Sequence, residues 1–201
     1  PVTTTHRWVV VTGPGGIGKT RLLRRSVAAL RPVWWVDVGA ATTATGLCSA
    51  VAAALGLDLS GDAAARIGHA LAQRGAGWLI LDELESAVDV AGPLIDRWLA
   101  AAPALRIAGT SRVRLGLDGE RTIELEPLDL DEAVELFVHR ARSASNGFRV
   151  PAGDAAVLRQ LVDRLDRLPL AIELAASRAP ALGIVGLVAR IDGRLDLLTR
   201  P

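Results

Sequence analysis

The sequence predicts an α/β fold, a parallel sheet with helices on both faces, followed by a smaller all-helical domain. Three observations predict it. Short, almost continuously apolar runs alternate with helical patterns up to about residue 125, the signature of strands covered on both faces. A glycine-rich segment follows the first of these runs and precedes an amphipathic stretch. After Pro127 only helical periodicity remains. The boundaries expected are an α/β domain over 1–127 and a helical domain over 128–201.

Taken in order, "WVVV" (8–11), "VWWVDV" (33–38), "WLILDE" (78–83) and "RIAGTS" (106–111) read as buried strands. "TIEL" (122–125) alternates more and reads as a less buried one. Leu23, Val27 and Leu30 fall at i, i+4 and i+7, one helical face after the glycine-rich turn. The Ala/Leu-rich stretches 44–55, 62–74 and 91–101 are the next helices. Beyond Pro127, Asp129 and Glu132 have capping-box spacing. Val134, Phe137, Val138 and Ala141 then form one apolar stripe, and Leu158, Leu161, Val162 and Leu165 another. The Ser, Gly, Asn and Pro content of 143–154 reads as a loop. Pro169 sits where a helix begins, a position that does not need its missing N–H.

The net charge of the 201 residues is +1. No strong field is expected, so direct nucleic-acid binding by this segment is not predicted. No run approaches the length of a membrane span, so no membrane partner is predicted. Cys48 is the only cysteine and has no disulfide partner or metal-ligand companion, which points to a reducing, cytoplasmic setting. The start at Pro1 and end at Pro201 suggest a cut-out piece, with effector and sensor domains expected beyond it.

Of 23 basic residues, Lys19 is the only lysine. It stands in Gly13-Pro14-Gly15-Gly16-Ile17-Gly18-Lys19-Thr20, which fits G-x-x-x-x-G-K-[ST] at every fixed position and is followed by Arg21. From the chain's own composition, the pattern arises by chance about once per thousand such chains. Glycines let the backbone aim several N–H groups at one anion, and the N-terminus of the next helix adds partial positive charge. Lys19 is expected to reach the β- and γ-phosphates of a nucleotide, and Thr20 to place its hydroxyl on Mg²⁺. A compact ammonium on a thin stem suits that path; a planar guanidinium is wider. That explains the one lysine in an arginine-biased chain.

"WLILDELE" ends a strand with Asp82 and Glu83. Asp82 is the expected acidic partner of the phosphate loop, holding Mg²⁺ through water. Glu83 is the candidate to orient or deprotonate an attacking water, with Glu85 second. Thr110, Ser111 and Arg112 are expected just past the next strand, at the edge where open α/β sheets bind ligands. Arg112 is the candidate to report the γ-phosphate.

Together these residues resemble the nucleotide-binding module of the STAND branch of AAA+ ATPases, which includes NB-ARC proteins. "VTGPGGIGKTRL", "WLILDELE", "IAGTSRVRLGLDGE", "IELEPLDLDEAVELF" and "RLDRLPLAIELAASR" occur in the family's order. "LVARIDGRLDLLTR" is similar to the type found in bacterial multidomain transcriptional regulators, LuxR-type and SARP-like. The resemblance implies a P-loop NTPase sheet of five parallel strands, order 5-1-4-3-2, with ATP or ADP and Mg²⁺ in a cleft under the helical lid. It matches Lys19 and Thr20 to Walker A, Asp82 to Walker B, Arg112 to the sensor arginine, and Pro169 to the proline of "GLPL". Arg167 stands where that motif has glycine, and Glu83 where many relatives have Asp or Asn. His6, His69 and His139 match no family motif and are expected at the surface or in the lid.

The resemblance implies a regulatory switch that binds ATP or ADP and hydrolyses ATP slowly, with nucleotide-dependent self-assembly as a possible partner interaction. The alternatives are an AAA+ motor or loader, which Glu83 favours, and an interaction scaffold without nucleotide. A small-molecule kinase lacks a clear acceptor pocket and arginine-rich lid in this sequence. A GTPase is a weaker reading still, because its usual N-K-x-D guanine motif cannot occur here: the only Asn, Asn146, is followed by Gly147, and there is no second lysine.

Overall fold

The structure is a computed structural model that describes residues 6–58, 61–117 and 119–199, with side chains through Ile191. Pro1 and Pro201 lie outside the described residues, as do the side chains of the closing segment after Ile191. The chain divides into two compact units. One comprises the residues up to Gly15 with Lys19–Leu125; the other comprises Gly16–Gly18 with the residues from Glu126 onward.

The first unit is built on five parallel strands: β1 (Trp8–Thr12), β2 (Val33–Asp37), β3 (Gly77–Asp82), β4 (Leu105–Ser111) and β5 (Arg121–Glu124). Their order is β2-β3-β4-β1-β5, the expected arrangement read from the other edge. Side chains of β1 and β3 alternate between two cores, as a twofold strand period requires. Trp8, Val10, Leu79 and Leu81 enter the larger one, with residues of helices α2 (Ala44–Leu55), α3 (Ala63–Arg74) and α4 (Val88–Ala101). Val9, Val11, Trp78 and Ile80 face the other, with Leu23 of α1 (Lys19–Ser26) and Val27. The helix expected to continue through Leu30 ends at Ser26. Val27 still donates to the Leu23 carbonyl (3.0 Å), and a turn bond carries Leu30 to Val27.

"VWWVD" is not a fully buried strand: β2 is an edge, and Val33, Trp34 and Trp35 are half-buried. Thr110 and Ser111 do not lie past a strand; they end β4 and are fully buried.

Local chemistry fixes the helix ends. Thr43 and Asp62 accept from backbone N–H groups in the first turns of α2 and α3, offsetting donors with no helical partner. Arg7 closes the far end of α4 by donating to the carbonyls of Leu99 (2.6 Å) and Ala102 (2.8 Å).

The second unit contains α5 (Leu130–Ala144), α6 (Ala155–Arg164) and α7 (Pro169–Thr199). Asp129 and Glu132 form the expected capping box, with the Asp129 N–H donating to Glu132 (3.2 Å). Ala133, Phe137 and Ala141 of α5 pack with Leu158, Leu161 and Val162 of α6 and with Ile172, Ala176 and Ala179 of α7. Arg140 on α5 donates twice to Glu173 on α7, at 3.0 and 2.7 Å.

Contrary to expectation, Pro169–Ile191 is long and apolar enough by composition to cross a membrane, at mean hydropathy 1.5. No uninterrupted apolar run of that length is visible because Glu173, Ser177 and Arg178 break it, while the averaged hydropathy tolerates them. Gly183 has non-helical backbone angles (φ 69°, ψ 165°), so α7 is broken there. Its apolar residues on both sides of the break, Ile172, Ala176, Ile184 and Leu187, are in the core of this unit.

Candidate functional site

The glycine-rich segment joins β1 to α1. Gly13 and Gly18 have φ of 145° and 105°, values that L side chains rarely adopt. A fully buried strand feeds the turn and an amphipathic helix leaves it, the context this motif requires. Lys19, first residue of α1, folds back so that its Nζ donates to the carbonyls of Gly13 (2.9 Å) and Pro14 (3.0 Å). Its stem thus runs along the loop and its charge sits beside the turn. Burial lowers the Lys19 pKa below its usual value, and Arg112 acts in the same direction. Glu85 opposes them most among the carboxylates, ahead of Asp82 and Glu83.

Next along α1, the Thr20 hydroxyl donates to Asp82 Oδ1 (2.9 Å). Asp82 ends β3 and is only 7% exposed. The same oxygen accepts from the Thr110 hydroxyl (2.5 Å), whose oxygen in turn accepts the Glu83 N–H (2.9 Å). Adjacent ends of β3 and β4, set side by side by parallel pairing, therefore hold the acid in place. Thr110 is a positioning residue that sequence reasoning saw only as a neighbour of Arg112. The signal available was its hydroxyl at the end of an otherwise apolar strand.

Glu83 takes a left-handed backbone (φ 66°), and its side chain is exposed. Its carboxylate lies over the end of β2, where a Cβ on Gly39 would meet Oε2 at 2.5 Å. Glu85 lies in the 3₁₀ turn Leu84–Ala87 after β3 and pairs with Arg112 at 2.9 Å. The Arg112 guanidinium carbon is 3.8 Å from where a Cβ on Gly15 would sit. The first unit thus gathers Lys19, Thr20, Asp82, Glu85, Thr110 and Arg112. Arg21 is an exposed α1 residue, and Pro169 heads α7 in the other unit. His6, His69 and His139 are exposed.

The donor set fits Mg²⁺. A hydroxyl and a carboxylate 2.9 Å apart are hard oxygen ligands, and this ion keeps several waters and usually takes one or two protein oxygens plus phosphates. Among the described residues no group of three or more His, Cys, Asp or Glu side chains could hold a metal unaided.

A parallel sheet in this order, with a glycine turn, lysine and threonine after β1 and an acid at the end of β3, defines an AAA+ ATPase-like domain, a class whose fold implies a bound nucleotide. The match is direct: residues 2–117 fit the family described as AAA domain, and the chain belongs to that family. It is 35% identical over 199 residues to the Mycobacterium tuberculosis protein Rv0894, covering 96% of this chain and 51% of that protein. It is 36% identical over 202 residues to Rv0890c of the same organism, whose name proposes an HTH-type transcriptional regulator, covering 96% of this chain and 22% of that one. The chain therefore spans about half the length of one relative and about a fifth of the other.

Two solved structures share the fold. A chain in the Drosophila ORC structure bound to DNA aligns with TM-score 0.64 and 12% identity, over 98% of this chain and 63% of that one. The Pyrococcus horikoshii STAND protein PH0952, with a tetratricopeptide-repeat sensor, aligns with TM-score 0.53 and 22% identity, over 83% of this chain and 27% of that one.

Proposed function

We propose that this chain is the ATP/ADP-binding switch module of a STAND-type signalling or transcription-regulating ATPase, cytoplasmic and joined to effector and sensor domains. The observation that carries this reading is the chain of contacts from the phosphate loop to the acid: Lys19 on the loop carbonyls, then Thr20 and Thr110 on one oxygen of Asp82. In this reading Lys19 leaves the carbonyls of Gly13 and Pro14 for the phosphates, which the backbone N–H groups of Gly13, Gly15–Thr20 and the following turn at Arg21 cradle, Pro14 having none to donate. Thr20 and Asp82 hold Mg²⁺, which supplies neutralisation of phosphate charge when bound. Glu83 orients water, Arg112 contacts the γ-phosphate, and Pro169 contacts the nucleotide as in the family it resembles.

Hydrolysis in such a switch is slow and resets it. The two nucleotides must favour different arrangements of the protein, because a ligand with equal affinity for both shifts nothing. Calorimetric titration with ADP and ATP, on the wild type and Lys19→Ala, tests the reading. Binding by the wild type with low turnover, lost in the variant, is the expected result. Absence of binding by the wild type would leave the scaffold reading instead. Turnover rising steeply with protein concentration would favour the motor.

A further inference from the structure

Glu85 has a partner that phosphate binding alone does not require. Its Oε1 is 2.9 Å from Arg112 Nε, while its Oε2 is buried without a hydrogen-bond partner among the described residues. The pair is lopsided: the Glu85 side chain is 22% exposed and that of Arg112 65%. The acid is fixed at the foot of β3, and the long, solvated guanidinium is the half free to move. The Arg112 guanidinium meanwhile lies beside the phosphate loop, 3.8 Å from where a Cβ on Gly15 would sit. Lys19 feels both members of the pair, so these three charges share one neighbourhood.

An outermost phosphate arriving there competes with Glu85 for Arg112. Arginine–phosphate contacts are strong charge-assisted bonds, so the exchange is favourable for a triphosphate. A diphosphate lacks that group and leaves the pair intact. Separating Arg112 from Glu85 is then a cost that only the triphosphate meets. A buried carboxylate oxygen already lacking a partner makes Glu85 unable to replace Arg112 cheaply with another protein donor.

We propose that Glu85 is a positioning residue that tethers Arg112 and so sets the ratio of ATP to ADP affinity, biasing the resting site toward the diphosphate. This rests on Arg112 being the γ-phosphate contact. It assigns Glu85 a role distinct from water activation.

Titration calorimetry with Mg²⁺ and either ATP or ADP, on wild type, Glu85→Gln, Arg112→Ala and the double variant, tests it. Glu85→Gln is expected to raise the ATP-to-ADP affinity ratio about one-and-a-half- to fivefold, the range for a partly exposed pair, with ADP binding not weakened. Arg112→Ala is expected to lower the ratio, and the double variant to match Arg112→Ala alone. Glu85→Ala must reproduce the rise if the amide packs badly. A ratio that rises without weaker ADP binding separates this from a structural role, which would weaken both nucleotides. If Arg112→Ala lowers the ratio but both Glu85 variants leave it unchanged, or shift both nucleotides equally, the tether is overturned and the nucleotide-switch reading stands. If Arg112→Ala has no effect on the ratio, the sensor role fails and the tether with it.

Discussion

At the scale of single residues, Lys19 sets the sharpest expectation. Its pKa is lowered, first by burial, so the ammonium is less favourable in the folded, ligand-free chain than in the unfolded one. The stability linked to this group is therefore fully present above the ordinary lysine pKa and is lost as pH falls through the lowered one. A polyphosphate reverses the balance by favouring the charged form. We predict that nucleotide binding takes up a proton at alkaline pH, and that affinity falls as pH rises through the lowered pKa. Calorimetry in buffers of different ionisation heat counts that proton; release rather than uptake would contradict the reading. Thr110 gives a second test. Thr110→Val keeps the shape but removes a donor to Asp82 and the acceptor of the Glu83 N–H. Leaving such buried groups unpaired costs about 1–3 kcal/mol, which denaturant unfolding will report. The place of the lysine on the loop was legible because its motif fixes residue type and spacing together; that of Asp82 was legible only as a carboxylate closing an apolar strand. The role of Thr110 was not, because it depends on which strand lies beside β3. Nor was the Glu85–Arg112 pair, which joins a 3₁₀ turn to the segment after β4.

At the scale of elements, the end of α6 departs most from what its residues prefer. The Arg167 N–H donates to the Val162 carbonyl (3.1 Å) and the Asp166 N–H to that of Asp163 (2.9 Å), the bonds of a Schellman motif. Glycine commonly takes the left-handed position there, yet Asp166 and Arg167 both have φ of 53°. Asp166→Gly is expected to stabilise the second unit by about 1 kcal/mol, the order of the left-handed penalty for a residue with a Cβ. Thermal unfolding measures it, and a lower melting temperature would show that the Asp166 side chain contributes more than its backbone costs. The missing motif glycine was visible at Arg167, but not that two consecutive residues would be left-handed. Helix starts at Asp129 and Pro169 were legible because capping and proline geometry are local. The half-burial of β2 was not: its residues are as apolar as those of a central strand, and only strand order places it at an edge.

At the scale of the whole molecule, each unit has its own apolar core, and the sheet of the first has one on each face. Trp98 on α4 is fully buried in the larger of those two. Trp98→Ala is expected to destabilise the first unit by about 3–5 kcal/mol through the cavity it leaves. Its indole N–H has no partner among the described residues, so Trp98→Phe, which removes that donor and less volume, should cost distinctly less. Chemical denaturation of both variants gives the comparison, and equal losses would indicate that the N–H finds a partner in solution. The α/β alternation and the switch to helices were readable across the chain because periodicity averages over many residues. The break in α7 was not, because it turns on the angles of Gly183 alone.

The pairing of β1 sets a timetable for synthesis. Trp8 aligns with Ile107, and Val9 with both Ala108 and Arg121. A ribosome adding about 5–20 residues per second needs roughly 5–20 s to extend the chain from the first strand to its partners. Throughout that interval the segment that will present Lys19 trails as an unpaired apolar ribbon, while β2 and β3 can already zip together. The nascent protein should therefore lean on holding chaperones early and shed them once the fourth and fifth strands have emerged.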